Sequence, residues 1–365
     1  MTVAEMHQPK SRILSATYRL ANIALYAMGL LALIAATLAA LGVSPVVGLR
    51  LLGEGAFGTA GGHLNALSET LVETTPLLLT ALSVMVGWRC GIFTIGADGQ
   101  LLVGAAAAAT IGVSCRAMHG PAGSFALVAA GAFAGALWSA AAEALRRWRR
   151  VQEVISTIML NYLAIHLVSW LVRGPLQEPG RHMPQSRALP NSVLFARMLP
   201  PEITNGIATR LHTGVLLAFA MAPLTATYIW WTLPGLRLRI VGANAEAARS
   251  AGIRVARVRM QAMLVSGALA GLAGSVELLG ITGRLYAPFS PGWGYTAIPV
   301  ALLGGLSPGG IAASALFFGA LTAGSGNLER NTHVSSVIIY VVQAAAVLAI
   351  VAARAWNERR KAQEG

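Results

Sequence analysis

The chain is 365 residues long, 55% hydrophobic and only 11% charged, with a mean hydropathy of +0.63; this excludes a soluble domain and reads as an integral membrane protein. Only Lys10 and Lys361 among its 27 basic residues are lysines, so no GxxxxGK[ST] loop can form between them, and ATP hydrolysis by that route would belong to another subunit. The net charge of +13 comes from arginines in short loops between apolar runs, which suits orientation in a membrane and contact with acidic lipid head groups, not nucleic acid.

In chain order, a polar, basic leader at 1–20 precedes an uncharged run from Ala21 to Val43. At roughly 20 residues per crossing that run spans a bilayer. Its length and the want of a clean small-residue cleavage site favour a retained anchor over a signal peptide. A Gly-rich segment, Ser44 to Glu73, leads to a second span at Thr74 to Trp88. Next, Arg89 to Gln100 places three glycines and Asp98, the sole aspartate, inside apolar sequence. That pattern marks a broken helix.

Further spans are expected at Gln100 to Cys115, Pro121 to Ala142, Val154 to Val172, His212 to Leu233 and Met260 to Gly280. The uncharged stretch from Leu285 to Leu328 is too long for one crossing, and Ser307-Pro-Gly-Gly310 divides it in two. A last span covers Val334 to Ala353, before a basic tail at 354–365. The fold class is therefore all-α and polytopic, with about ten transmembrane helices between residues 21 and 353. Of the 27 basic residues, 18 fall on the side that carries both termini and the central loop, against 9 on the other. That bias places both termini and the 234–260 loop in the cytoplasm, and the loop at 173–211, with its six prolines, outside.

The 234–260 loop, PGLRLRIVGANAEAARSAGIRVARVRM in its full extent, is a long polar interruption in otherwise apolar sequence. Asn244 can cap a short helix, Glu246 suits the positive end of its dipole, and Gly252 can end it in a left-handed conformation. A helix of about two turns is marginal alone in water. It reads as a docking element.

Few groups inside the spans can do chemistry. Asp98, Glu277 and His166 are the ionisable residues well within apolar sequence, each costing about 2.5–3.5 kcal/mol at the bilayer centre on insertion scales. Such scarcity favours a neutral, polar cargo. Asp98 either lines a pathway or, the favoured reading, caps the second half of its own broken helix; Glu277 makes an ion pair with Arg284 or a cargo contact; His166 is read as a packing residue. Asn161 offers an amide to cargo or to another helix. The interrupted regions Gly91 to Gln100 and Gly280 to Pro299 occupy corresponding places in two halves, as an inverted repeat requires, and point to a site at mid-membrane. Phe93, Phe289, Trp293 and Tyr295 fall in them, either to stack on a flat cargo or to anchor at the interface. Cys90 and Cys115 have no metal spacing and support no disulfide. With no HExxH and no catalytic carboxylate pair, an intramembrane enzyme is a poor reading; a secondary carrier of neutral solutes stays open.

GIFTIGADGQLLVGA at Gly91 to Ala105, EVISTIMLNYLA at Glu153 to Ala164, RIVGANAEAARSAGI at Arg239 to Ile253 and GLAGSVELLGITGRL at Gly271 to Leu285 resemble the permeases of ABC importers in the nucleoside and simple-sugar branch, related to the ribose and branched-chain amino-acid permeases. The resemblance runs from about Thr75 to Ala353. It implies a subunit of a bacterial inner membrane that has no ATPase site or cofactor of its own. It implies also a cytoplasmic ATPase that binds the ATP, a second permease subunit, and an extracytoplasmic binding lipoprotein. Glu246, Ala247, Ala248 and Gly252 match that family's EAA…G pattern for contact with the ATPase, and the branch points to nucleosides ahead of monosaccharides. The chain has Thr94 and Asp98 where the family usually has Asn and Glu.

Overall fold

The computed structural model describes residues 29, 32, 34–39, 42–59, 62–115, 119–149, 151–180, 183–200, 209–332, 341, 343 and 344. The leader at 1–20, the tail at 354–365 and all but three residues of the expected last span lie outside them. Two compact units divide the chain: Ala56–Ala323 is one, and Met1–Gly55 with Gly324–Gly365 is the other.

The described helices are α1 (Pro45–Phe57), α2 (His63–Arg89), α3 (Ala97–Ser114), α4 (Gly120–Arg149), α5 (Glu153–Arg173), α6 (Gly214–Trp231), α7 (Leu233–Ala243), α8 (Ala245–Ser250), α9 (Val255–Glu277, continued by a π turn at Leu278–Thr282), α10 (Trp293–Leu303) and α11 (Pro308–Thr332). Seven of them, α2 to α6, α9 and α11, are long and apolar enough to cross a membrane, and only isolated bridges stand in for strand pairing among the described residues. The protein is an all-α, multi-pass membrane protein.

The Gly-rich segment at 44–73, which precedes the expected start of the second span at Thr74, forms α1 and the first turns of α2. Gly55 serves packing. In the smaller unit, a Cβ on Gly55 would lie 2.6 Å from the Asn327 Cβ, and Asn327 Nδ2 donates to the Leu51 carbonyl at 2.9 Å. The stretch after Leu285 also departs from expectation. Residues 283–292 are irregular, bounded by Gly283 and Gly292 with φ of 59° and 100°, and α10 has only 11 residues. At 1.5 Å per residue it covers about half of a 30 Å bilayer core.

In the larger unit α9 is the central helix, packed against α2, α3 and α4. Glycine makes that packing close. A Cβ on Gly271 would lie 2.3 Å from the Gly131 carbonyl oxygen of α4, one on Gly104 of α3 would lie 2.4 Å from the Gly271 Cα, and one on Gly274 would lie 2.0 Å from the Leu101 oxygen. Small residues at helical spacing let backbones approach where lipid supplies no hydrophobic drive for helices to associate.

The two ends of this unit are built differently. At the end that carries α8, Arg146 and Arg259 bind Glu143 and Glu153, with Arg146–Glu143 at 2.6 Å and Arg146–Glu153 at 3.2 Å, tying α4, α5 and α9 together. At the other end, Arg284 pairs with Glu178 and Arg210 with Glu69, both at 2.6 Å, and the Leu285 N–H donates to Ser186 Oγ at 3.0 Å. Hydrogen bonds from Gln185 and then Arg284 hold the Glu178 carboxyl below its ordinary range. Helix α2 runs toward the α8 end before its break, whereas α9 runs away from it before its own. Thus the two interrupted regions have opposite senses, as in an inverted repeat.

Candidate functional site

The two breaks meet. After α2 the chain turns through Gly91, at φ 73°, and the irregular link is held by hydrogen bonds within itself and to α5. Thr94 Oγ1 accepts from Gly96 N–H (3.0 Å), Thr157 Oγ1 of α5 accepts from Ile95 N–H (3.3 Å), and Asn161 Oδ1 accepts from Gly99 N–H (3.0 Å). Asn161 Nδ2 also donates to the Ile95 carbonyl at 2.9 Å and to the Tyr295 hydroxyl at 3.1 Å. The fully buried amide of Asn161 is thus spent on bracing the break. Of the two readings open from sequence, the bond between helices is the one made.

Asp98 is a cap, though not of its own helix. Its Oδ1 accepts from the Gly294 N–H at 3.1 Å and from the Ser290 hydroxyl at 2.7 Å, so it sits at the start of α10 from the second half. Ser290 Oγ in turn accepts from the N–H groups of Gly292 and Trp293 at 3.0 and 3.2 Å. A carboxylate there meets the positive end of the α10 dipole and satisfies N–H groups that a helix start leaves without partners. The backbones are close enough that a Cβ on Gly294 would lie 2.1 Å from the Asp98 nitrogen.

Above this junction lies a cleft of about 250 Å³ between α3, α5 and the 287–290 segment. Asp98, Ser169, Ser290 and Arg173 supply its polar lining, and Leu102, Ile165, Val168, Ala287, Pro288 and Phe289 the apolar part. A mostly apolar recess with a few converging polar groups has the make-up of a small-molecule site. Among the described residues there is no cluster of three or more His, Cys, Asp or Glu that can hold a metal, and Cys90 and Cys115 are free thiols.

Of the residues singled out from sequence, Asp98 lines the cleft, while Asn161 and Tyr295 brace its base. Trp293 opens α10 beside Ser290. Phe93 lies elsewhere: it is exposed and packs edge-on against Trp88 at 5.4 Å, so the expected aromatic cluster does not form around it. Glu277 is buried at the end of α9, outside the cleft, and Arg284 is taken by Glu178. His166 is exposed on α5 and does not pack inside the unit. Ser290 was missed. A Ser before Pro291-Gly292 is a helix-start signal that the apolar surroundings concealed.

The α8 region matches expectation. Asn244 Oδ1 accepts from the N–H groups of Glu246 and Ala247 at 2.9 and 3.0 Å, the Ile253 N–H closes onto the Ala248 carbonyl at 3.0 Å, and Gly252 has φ 78°. Those are the two ends of a capped helix. Ala248 is buried, while Glu246, Ala247 and Arg249 point outward.

Residues 66–347 match the family described as the branched-chain amino acid transport system / permease component. The chain is 34% identical to the guanosine ABC transporter permease NupP of Bacillus subtilis, over 86% of this chain and 88% of the relative. It is also 34% identical to the glucose ABC transporter permease TsgB13 of Haloferax volcanii, over 80% and 78%, and 31% identical to the nucleoside ABC transporter permease NupB of Lactococcus lactis, over 85% of each. No solved structure matches the chain. With paired breaks meeting beside a cleft, a capped helix at one end, and a family match across most of its length, the chain belongs to the permease components of the branched-chain amino acid transport system family.

Proposed function

We propose that this permease carries a neutral, polar solute, a nucleoside, through the cleft at Asp98, and that α8 takes up force from a cytoplasmic ABC ATPase. The observation that carries the cargo is the similarity to NupP over 86% of the chain; the equal identity to a glucose permease supports a monosaccharide as the second reading. Both bonds that Asp98 accepts fall on Oδ1, which leaves Oδ2 to a hydroxyl or N–H of the cargo, and Ser169 and Ser290 add hydroxyls suited to an uncharged sugar or base. The absence of lysine between Lys10 and Lys361 leaves no GxxxxGK[ST] loop in this stretch, which supports nucleotide binding by a partner.

A second permease and an extracytoplasmic binding lipoprotein complete the proposed importer. Helix α5 supports the first: only a minor part of its apolar stretch is buried, whereas that of α2 is almost wholly buried, and its outward face carries His166 beside Tyr162 and Trp170. An imidazole at mid-helix is ill suited to lipid, so a protein or water-lined neighbour is the better cover. Trp148 and Trp231 are 79% and 85% exposed near the basic end, where aromatic rings anchor at a lipid interface.

Two measurements test this reading. Vesicles holding the importer purified from its native membrane, supplied with its binding protein, are expected to accumulate labelled guanosine or adenosine only with ATP inside the vesicle or on the ATPase side. Uptake that is unaffected by nucleotide sinks the ATPase reading, and competition by glucose but not by nucleosides selects the monosaccharide. For sidedness, Ala247→Cys with Cys115→Ser is expected to react with a membrane-impermeant maleimide only after cells are opened. Labelling of intact cells reverses the topology.

A further inference from the structure

Arg89 and Asp98 bound the first broken segment, and they hold opposite ends of α10. Arg89 Nε and Nη2 both donate to the Leu306 carbonyl, at 2.9 and 2.7 Å. That carbonyl follows the last turn of α10, where Gly305 and Leu306 take φ of 64° and 51°. Asp98 accepts from the Gly294 N–H at 3.1 Å, at the start of the same helix. A cation therefore stands at the negative end of α10 and an anion at its positive end, both matched to its dipole. Leu306 is the only residue other than glycine with positive φ among those described, a costly conformation for a branched side chain that the surrounding contacts must maintain.

The same arginine is seated on the part of the chain that leads to α8. A Cβ on Gly242 of α7 would lie 2.0 Å from the Arg89 carbonyl oxygen. The Arg89 and Arg239 guanidiniums both lie over the Trp230 ring, 5.3 and 4.6 Å from its centroid. Asn244 alone separates α7 from α8.

We infer that Arg89 is the positioning residue that passes movement of α8 to the floor of the cleft, by locking the half-helix α10 to the 89–98 segment so that the two move as one body. A push on α8 displaces α7, and the close contact at Gly242 carries the displacement to Arg89. The bond to Leu306 then moves α10, and with it Gly294, Ser290 and the Asp98 carboxylate. The inference rests on the proposed docking of an ATPase at α8. It assigns no cargo contact to Arg89.

The test uses the complete importer in vesicles, with labelled guanosine, or whichever nucleoside the parent importer moves, and ATP hydrolysis measured in the same sample. Arg89→Met is expected to keep hydrolysis within about twofold while uptake per ATP falls tenfold or more. Arg89→Lys, with a single ammonium in place of the two-pronged donor, is expected to fall between, and it serves alone if Arg89→Met does not assemble. An unchanged ratio of uptake to hydrolysis overturns the inference. So does a parallel loss of both, which would make Arg89 a support of the fold or of the ATPase contact. Nucleotide-independent uptake by the parent importer would refute the proposed function instead, and is read before either variant.

Discussion

Gly271→Val is expected to destabilise the larger unit strongly, whereas Gly309→Ala is expected to leave it as stable as the parent or slightly more so. The difference is steric. A Cβ at 271 would sit 2.3 Å from the Gly131 oxygen and 3.0 Å from the Gly135 Cα, both backbone atoms of α4 that no side-chain rotation can move. Relief requires α4 and α9 to separate, which opens gaps against α3 as well, because Gly104 is packed on the same residue. Overpacking of a well-packed core costs about 1–3 kcal/mol and occasionally more. Clashes against two backbone positions of α4 put this site at about 3 kcal/mol or above. A Cβ on Gly309, by contrast, meets nothing within 4 Å, and glycine to alanine where the native backbone accepts it gains about 0.4–1 kcal/mol. Thermal aggregation of the detergent-solubilised proteins, followed by size-exclusion chromatography, checks the pair. Equal midpoints for Gly271→Val and the parent would show that α4 and α9 are not in this contact.

Asp98→Ala is expected to lower uptake by about tenfold to a hundredfold, while Asp98→Asn retains a larger share. Alanine leaves the Gly294 N–H and the Ser290 hydroxyl without their shared acceptor, and a hydrogen bond to a charged group contributes about 1.5–3 kcal/mol. Asparagine keeps an acceptor oxygen in the same place but loses the charge that suits the start of α10, worth about 0.3–1 kcal/mol in ordinary settings and up to about 2 kcal/mol when partly buried. The order parent, Asn, Ala in both uptake and thermal stability is the expected result. If alanine and asparagine were both as active as the parent, the carboxylate would have no part in holding α10 or in meeting cargo.

The α8 helix was legible in the chain because its determinants are local. Asn244 bonds to residues two and three ahead of it, and Gly252 needs only its own freedom at positive φ to end the helix. The breaks at 91–100 and 280–299 were legible for a similar reason, since glycine clusters interrupt apolar sequence wherever they occur. By contrast, no nearby residue marks the true partner of Asp98. Its position two residues into α3 suggests a cap for that helix, yet the groups it binds are Ser290 and Gly294, at sequence separations of 192 and 196. Likewise Asn161 is a plausible cargo amide until both its donors and its acceptor are found engaged at the break.

Composition, charge bias and the spacing of apolar runs determined by themselves that this is a multi-pass, all-helical membrane protein with two interrupted regions and one projecting capped helix. These properties follow from the cost of leaving backbone groups or charges in hydrocarbon, which each segment meets alone. Only the tertiary structure decided that the breaks brace each other, that Arg89 and Asp98 hold the two ends of α10, and that Phe93 and Glu277 stand apart from the cleft. Such pairings depend on which helices approach closely, and that is set by glycines such as Gly271 and Gly294 meeting a distant backbone, a match between two surfaces that neither segment contains by itself.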